Sequence, residues 1–188
     1  MLSLLHYLQS IHPITPEAQQ YLGKVLRKKE LRKNAFWLKQ GETCNRIAFI
    51  EKGMVKIFFE SGNKEIAIWY NKEDDVMISV KSFFFQMPSQ LAIKAVEPTT
   101  LYYIEYAELQ GIYQSSLDFN VNGRKILEHY YSTLEEHTMM MAKPPKERYD
   151  DLVRLYPWMN DSKRFKDYML AAYLGIDRTT LSRYKNGK

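Results

Sequence analysis

The sequence predicts an α+β chain: an N-terminal antiparallel β-roll with a helical lead-in, one long helix, and a small helical domain carrying a helix-turn-helix. Three observations predict it. From about Glu30 to Tyr106 the apolar residues come in short runs rich in Ile, Val, Phe, Tyr and Trp, separated by turn signals. Residues 119–142 contain no proline and a single glycine, Gly123, with apolar residues at a spacing of three and four. Residues 143–188 carry 11 Lys/Arg against 6 Asp/Glu, whereas residues 1–142 balance 16 against 16, so the whole net charge of +5 sits at one end of the 188-residue chain.

The first thirty residues read as helices. Thr15-Pro16-Glu17 combines a hydroxyl cap, a proline at the first helical position and an early carboxylate. Ala18, Leu22, Val25 and Leu26 form one apolar stripe, and the basic run Arg27-Lys28-Lys29 is expected at the C-terminal end of that helix. The strands expected next are Arg46–Glu51, Met54–Phe59, Glu65–Tyr70, Leu91–Val96 and Leu101–Ile104, with Glu51-Lys52-Gly53 and Ser61-Gly62-Asn63 at hairpin spacing. Short strands joined by tight turns indicate an antiparallel barrel or double-sheet roll.

In the long helix, Leu127, Tyr131, Leu134, Thr138 and Met141 share a stripe, with Tyr130 and His137 beside it. A helix of some twenty residues, about 30 Å, can lay that stripe on its own domain or against a second copy in parallel two-fold pairing. Pro144-Pro145 ends the helix and supplies a stiff hinge. The expected domains are thus a β-roll with its helical lead-in over 1–118, a dimerisation helix over 119–142 and a helix-turn-helix domain over 143–188. In the last, Glu147–Tyr156 is a helix stopped by Pro157, and helices over Phe165–Leu174 and Arg178–Lys185 flank Gly175-Ile176-Asp177.

Several function classes drop out on composition. No apolar run approaches the roughly 20 residues of a membrane span, and Met1–Ser10 lacks the features of a signal peptide. The expectation is a soluble cytoplasmic protein without membrane attachment. One cysteine, Cys44, excludes a disulfide framework, a thiolate zinc site and a cysteine-held iron–sulfur cluster. His6, His12, His129 and His137 show no ligand spacing, and no phosphate loop or nucleophile elbow is present. Neither an enzyme nor a cofactor is expected. The role of Cys44, beside a turn, stays open.

The segment from Asp167 to Lys185 has helix-turn-helix layout, and its residues have physical reasons. Ala171 and Ala172 are small enough for a second helix to approach, Gly175 can adopt the left-handed conformation that redirects the chain, Ile176 and Leu181 join the helices, and Asp177 can cap the second one. Arg178, Thr179, Ser182 and Lys185 then lie on its outer side, with Thr180 and Arg183 at the margins. Arginine can hold guanine O6 and N7 bidentately, while hydroxyls and lysine suit phosphates and mixed base edges. The alternative is an ordinary helical hairpin with a solvated basic face.

Taken together, the chain resembles the Crp/Fnr family of bacterial transcription regulators over essentially its full length. Gln40-Gly41-Glu42, Lys52-Gly53 and Ser61-Gly62-Asn63-Lys64-Glu65 are similar to the turn signatures of that family's cyclic-nucleotide-binding-like roll. Glu147-Arg148-Tyr149, Leu152 and Tyr156-Pro157, with Ala171-Ala172-Tyr173-Leu174-Gly175-Ile176 before Thr180-Leu181-Ser182-Arg183, resemble a short subgroup found in Bacteroidetes. The resemblance implies that Arg178, Thr179 and Arg183 occupy base-reading positions. Thr179 stands where many members have glutamate, so their target sequence does not carry over.

The resemblance has one gap. Members that bind cyclic nucleotides carry Gly-Glu at the start of a short helix and, about ten residues later, arginine followed by a small residue. Aligned on Asp75 and Ala95, this chain has Ile78-Ser79 and Ser89-Gln90, so the pocket is degenerate and both charged ligands are gone. Lys81 and Lys94 are nearby cations without arginine's fork. Met77, Val80, Phe83, Phe84, Phe85, Met87 and Pro88 either fill the vacated pocket or form an apolar ligand or protein site. The reading that results is a dimeric DNA-binding regulator, not responsive to cyclic nucleotides, acting on an inverted-repeat duplex, with an unknown small effector that would act through a hinge at Lys143–Lys146. Because the sequence ends at Lys188, no β-wing is expected after the recognition helix. The rival reading is a ligand-binding or protein-interaction module that uses the β-roll with little DNA binding.

Overall fold

A computed structural model describes residues 2–62 and 64–187. After α1 (Leu2–Ile11), the Thr15 hydroxyl accepts the Ala18 N–H at 3.2 Å and Pro16 opens α2 (Pro16–Val25). That helix buries Ala18 and Leu22 and stops at Leu26, which turns to extended backbone. The basic run that follows is not its tail. Arg27–Leu31 forms strand β1, paired antiparallel with Thr99–Tyr103. Charge is compatible with a strand here because β1 is an edge of its sheet, where lysine and arginine discourage further pairing.

The remaining strands are β2 (Phe36–Leu38), β3 (Arg46–Lys52), β4 (Val55–Ser61), β5 (Lys64–Asn71), β6 (Val76–Met77), β7 (Ala92–Ala95) and β8 (Thr99–Glu105), with a short helix α3 (Val80–Phe85) between β6 and β7. They pair antiparallel in two four-stranded sheets, ordered β1-β8-β3-β6 and β2-β7-β4-β5. This is the double-sheet roll expected. The β4–β5 hairpin closes with Ser61 opposite Lys64, and the expected turn residue Asn63 lies outside the described residues. Between β3 and β4, Gly53 has φ +104°, and a Cβ there would lie 2.6 Å from the Pro98 carbonyl oxygen. Only glycine fits so close an approach.

The core joins both inner sheet faces to the helices: Ile50, Val55, Ile57, Met77, Phe83, Ile93, Ala95 and Leu101 pack with Leu4, Leu8 and Leu22. Helix α4 (Tyr106–Ser115), which the apolar pattern did not separate from its surroundings, begins where Glu108 Oε2 accepts the Glu105 N–H at 3.0 Å. Helix α5 (Leu117–Met141) is the long helix, close to its expected span of 119–142. Asn122 Nδ2 donates to the His12 carbonyl at 2.8 Å, fastening its first turns to the lead-in.

The chain forms two compact units, Met1–Ile126 and Leu127–Lys188. The second contains the later turns of α5, then α6 (Pro145–Leu155), a 3-10 turn (Pro157–Asn160), α7 (Asp167–Leu174) and α8 (Arg178–Lys185). Its core is Met140, Tyr149, Leu152, Met159, Phe165, Leu170, Ala171, Tyr173, Leu174 and Leu181. Pro145 starts α6 rather than merely ending α5, and α7 begins at Asp167, two residues later than the apolar pattern suggests.

Candidate functional site

Helices α7 and α8 meet through a tight turn. Gly175 caps α7 in the left-handed conformation, φ +66° and ψ +33°, and its N–H bonds back to the end of that helix. Asp177 caps α8: Oδ1 accepts the Thr180 N–H and Oδ2 the Thr180 hydroxyl, each at 2.8 Å. These bonds, the Thr180 N–H first, hold the Asp177 carboxyl below the ordinary aspartate range. Leu181 and Ala171 are buried between the helices, whereas Ala172 is exposed and Ile176 only half-buried. One alanine of the pair makes the close approach.

With Leu181 turned inward, Arg178, Thr179, Ser182 and Arg183 are exposed on α8. Arg178 and Ser182 form one row at i, i+4 and Thr179 and Arg183 the next, so four hydrogen-bonding side chains share about two turns of surface. Arg183 Nη2 donates to the Thr180 hydroxyl at 3.1 Å, and Thr180 itself is half-buried. Lys185 sits differently from its expected outer position. Its Nζ binds Asp167 Oδ1 at 2.6 Å and the Ser162 hydroxyl at 2.8 Å, bracing the end of α8 on the start of α7. Lys185 in turn keeps the Asp167 carboxyl below its ordinary range. The tie was hidden because its partners lie 18 and 23 residues away.

Two residues given no role by the sequence reading act here. The Tyr168 ring lies 5.4 Å from the Arg178 guanidinium carbon. The Arg148 guanidinium spans the Lys143 carbonyl, at 3.1 Å, and the Leu174 carbonyl at the end of α7, at 2.6 Å. Lys143 Nζ also pairs with Asp151 at 2.6 Å. Lys143, at the start of the segment expected to hinge (Lys143–Lys146), is therefore tied twice to α6, and Arg148 joins α6 to the end of α7. His137 Nε2, also on α5, meets the Tyr173 hydroxyl at 2.6 Å, and burial pushes its imidazole below the ordinary histidine range.

Along α5 the predicted stripe is largely uncovered. Leu127 is 45% exposed, Tyr131 74% and Leu134 59%, with Thr138 also exposed and Tyr130 and Met141 half-buried. The neighbouring Met140 and His137 instead face the core of the C-terminal unit.

In the roll, Ser79 and Ser89 are buried and their hydroxyls are 2.8 Å apart. Ser89 Oγ donates to the Leu91 carbonyl at 2.8 Å and accepts the Leu91 N–H at 3.0 Å. Its single hydrogen is then used, so Ser79 donates to Ser89. Ile78 is half-buried and Gln90 exposed, and none of the four positions offers a cation. Lys94 pairs with Glu65 and lies over the Phe36 and Phe58 rings, while Lys81 is exposed. Phe83 and Met77 fill the core, and the Phe83 ring contacts Phe84 and Tyr106. Val80, Phe85 and Met87 face outward, Phe85 at 76% exposure. The apolar segment thus divides between filling and surface. Cys44 is buried, its thiol donates to the Arg46 carbonyl, and burial raises its pKa, which disfavours the thiolate a redox sensor needs.

Among the described residues no helix is long and apolar enough to cross a membrane, and no group of three or more His, Cys, Asp or Glu side chains could hold a metal ion. Residues 28–116 match the family model described as the cyclic nucleotide-binding domain. No curated protein sequence matches the chain. Among solved structures, a cyclic nucleotide-binding domain containing protein from Listeria monocytogenes matches with TM-score 0.70 and 18% identity, over 98% of this chain and 88% of that one. The c-di-GMP responsive global regulator CLP of Xanthomonas campestris matches with TM-score 0.64 and 14% identity, over 92% and 91%. The sensor domain of the transcriptional regulator DNR from Pseudomonas aeruginosa matches with TM-score 0.55 and 22% identity, over 69% and 91%. Residues 28–116 are accordingly a segment of cyclic nucleotide-binding-domain type, in a chain that shares its fold with these proteins.

Proposed function

We propose that this chain is a dimeric, sequence-specific DNA-binding regulator of transcription of the Crp/Fnr type, working in the cytoplasm. One observation carries the reading: a capped two-helix turn leaves Arg178, Thr179, Ser182 and Arg183 together on the open face of α8. Planar guanidinium forks beside hydroxyls match base edges and phosphates in a major groove. The basic excess of residues 143–188 adds the long-range attraction a duplex rewards. Thr180 and Lys185 support the reading helix from within, through the Asp177 and Asp167 bonds. The Glu147-Arg148-Tyr149 and Ala171-to-Arg183 patterns favour the short Bacteroidetes-type subgroup.

The second copy covers Leu127, Tyr131 and Leu134, with Tyr130, Thr138 and Met141 at the seam, because isolated apolar rows of this size are costly in water. A two-fold dimer presents two α8 helices to successive major grooves, so the target is an inverted repeat with half-sites about 34 Å apart. The unit so assembled divides as a sensor over 1–118, a dimerisation helix over 119–142 and a reader over 143–188.

Cyclic nucleotide is not the effector in this reading. A cyclic phosphate needs a cation and free amides, and Ser79 and Ser89 spend their hydroxyls on each other and on Leu91. The signal, if the roll receives one, is a different small molecule. The exposed Val80, Phe85 and Met87 favour a second role for the roll as a protein-contact surface.

Selection of bound sequences from random duplex DNA tests the proposal. An inverted repeat is expected, with affinity falling steeply as salt rises. Binding indifferent to Arg178→Ala and Arg183→Ala would overturn it, and a large thermal shift with a cyclic nucleotide would overturn the effector argument.

A further inference from the structure

We propose that Tyr168 is a positioning residue that sets the orientation of Arg178 and so the base preference at one position of the target. The inference rests on the DNA-reading assignment of α8. Arg178 is the first residue of that helix and its side chain has four rotatable bonds, so left alone it would sweep a wide cone over the groove. The other arginine of α8, Arg183, is held from within that helix by the Thr180 hydroxyl. Arg178 is held from the other helix, by the face of an aromatic ring 5.4 Å away.

The kind of contact matters. An ion pair with a carboxylate would occupy the guanidinium's in-plane N–H groups, the same groups a guanine needs. A ring stacks on the flat face and leaves that edge open, so Arg178 can be oriented and remain able to bond bidentately. Tyr168 is 53% exposed and opens the first turn of α7, next to Asp167, whose carboxylate is taken by Lys185. Lys185 thus fixes α7 against α8 while Tyr168, one residue on, supports the reading side chain.

The test uses the full chain and the duplex recovered by selection from random sequence, with base preference measured at every position for the parent, Tyr168→Leu, Tyr168→Phe, Arg178→Ala and the Tyr168→Leu/Arg178→Ala pair. Tyr168→Leu is expected to reduce discrimination at a single base pair per half-site by roughly two- to fivefold, with the salt slope unchanged. Tyr168→Phe keeps the ring and is expected to keep the preference. In the Arg178→Ala background the Tyr168→Leu effect disappears. An equal loss in Tyr168→Phe would mean the hydroxyl acts on its own, and a uniform loss across all sequences would mean a backbone contact; either overturns the proposal. So does an unchanged preference in Tyr168→Leu while Arg178→Ala abolishes it, an outcome that leaves the DNA-reading assignment intact. Failure of that assignment has a separate signature, since no duplex would then be selected or Arg178→Ala would bind as the parent does.

Discussion

Replacing Ser89 with alanine tests the interior of the roll most directly. The Ser89 hydroxyl makes three contacts: it accepts from Ser79, accepts the Leu91 N–H at 3.0 Å and donates to the Leu91 carbonyl at 2.8 Å. Its loss leaves the buried Ser79 donor without that acceptor and exposes the half-buried Leu91 backbone groups to partial solvation at best. Counting one stranded buried donor at about 1–3 kcal/mol and two weakened backbone bonds at a fraction of that, Ser89→Ala should cost about 2–3 kcal/mol. Ser79→Ala should cost less, about 1 kcal/mol, because Ser89 keeps both bonds to Leu91. In the Ser89→Ala background, Ser79→Ala should cost nothing or restore a little, since it removes the stranded group. Urea denaturation of the full chain, followed through the buried Trp37 in the roll core, reads all four corners of this cycle. If Ser79→Ala costs as much as Ser89→Ala, or if the two costs add, the hydrogens do not run as argued and the pair does not close the site.

Three further outcomes follow from the C-terminal unit and the long helix. Arg148→Met removes the guanidinium bridge between the Lys143 and Leu174 carbonyls; it should cost about 2 kcal/mol and weaken all DNA sequences alike, measured by thermal unfolding beside a binding titration. Burial lowers the pKa of His137 in the folded state. The unfolded chain therefore binds the extra proton, and stability should be full above about pH 6.5 and fall as the pH drops below it. Melting temperature against pH should show that loss, and His137→Gln should flatten it. Leu134→Glu puts charge on the exposed α5 stripe and should shift sedimentation from dimer to monomer while leaving the circular dichroism of the chain unchanged.

Much of the architecture was legible because it is local. The Thr15 cap, the short apolar runs and tight turns of the roll, the unbroken three-and-four spacing of the long helix, Gly175 at its left-handed turn and Asp177 at its cap each depend on neighbours within a few residues. Arg27–Leu31 misled for the same reason. A basic run after an apolar helix is locally a good helix end, and only pairing with the distant β8, Arg27 opposite Tyr103 and Leu31 opposite Thr99, makes it a strand. The missing charged ligands at Ile78, Ser79, Ser89 and Gln90 were readable as residue types, but the sequence could not tell that two of those serines bond to each other.

The sequence alone determined the cap and turn residues Thr15, Gly175 and Asp177, the course of the long helix, and where the positive charge accumulates. The tertiary structure decided how individual side chains are employed. It drew Lys185 inward to Asp167, stood Arg178 against Tyr168, bridged the expected hinge through Arg148, and divided the apolar residues after Met77 between core and surface. The reason is geometric. Capping and periodicity act over one or two helical turns, whereas a charge or a hydroxyl acquires its role from whichever distant group folding brings within about 3 Å of it.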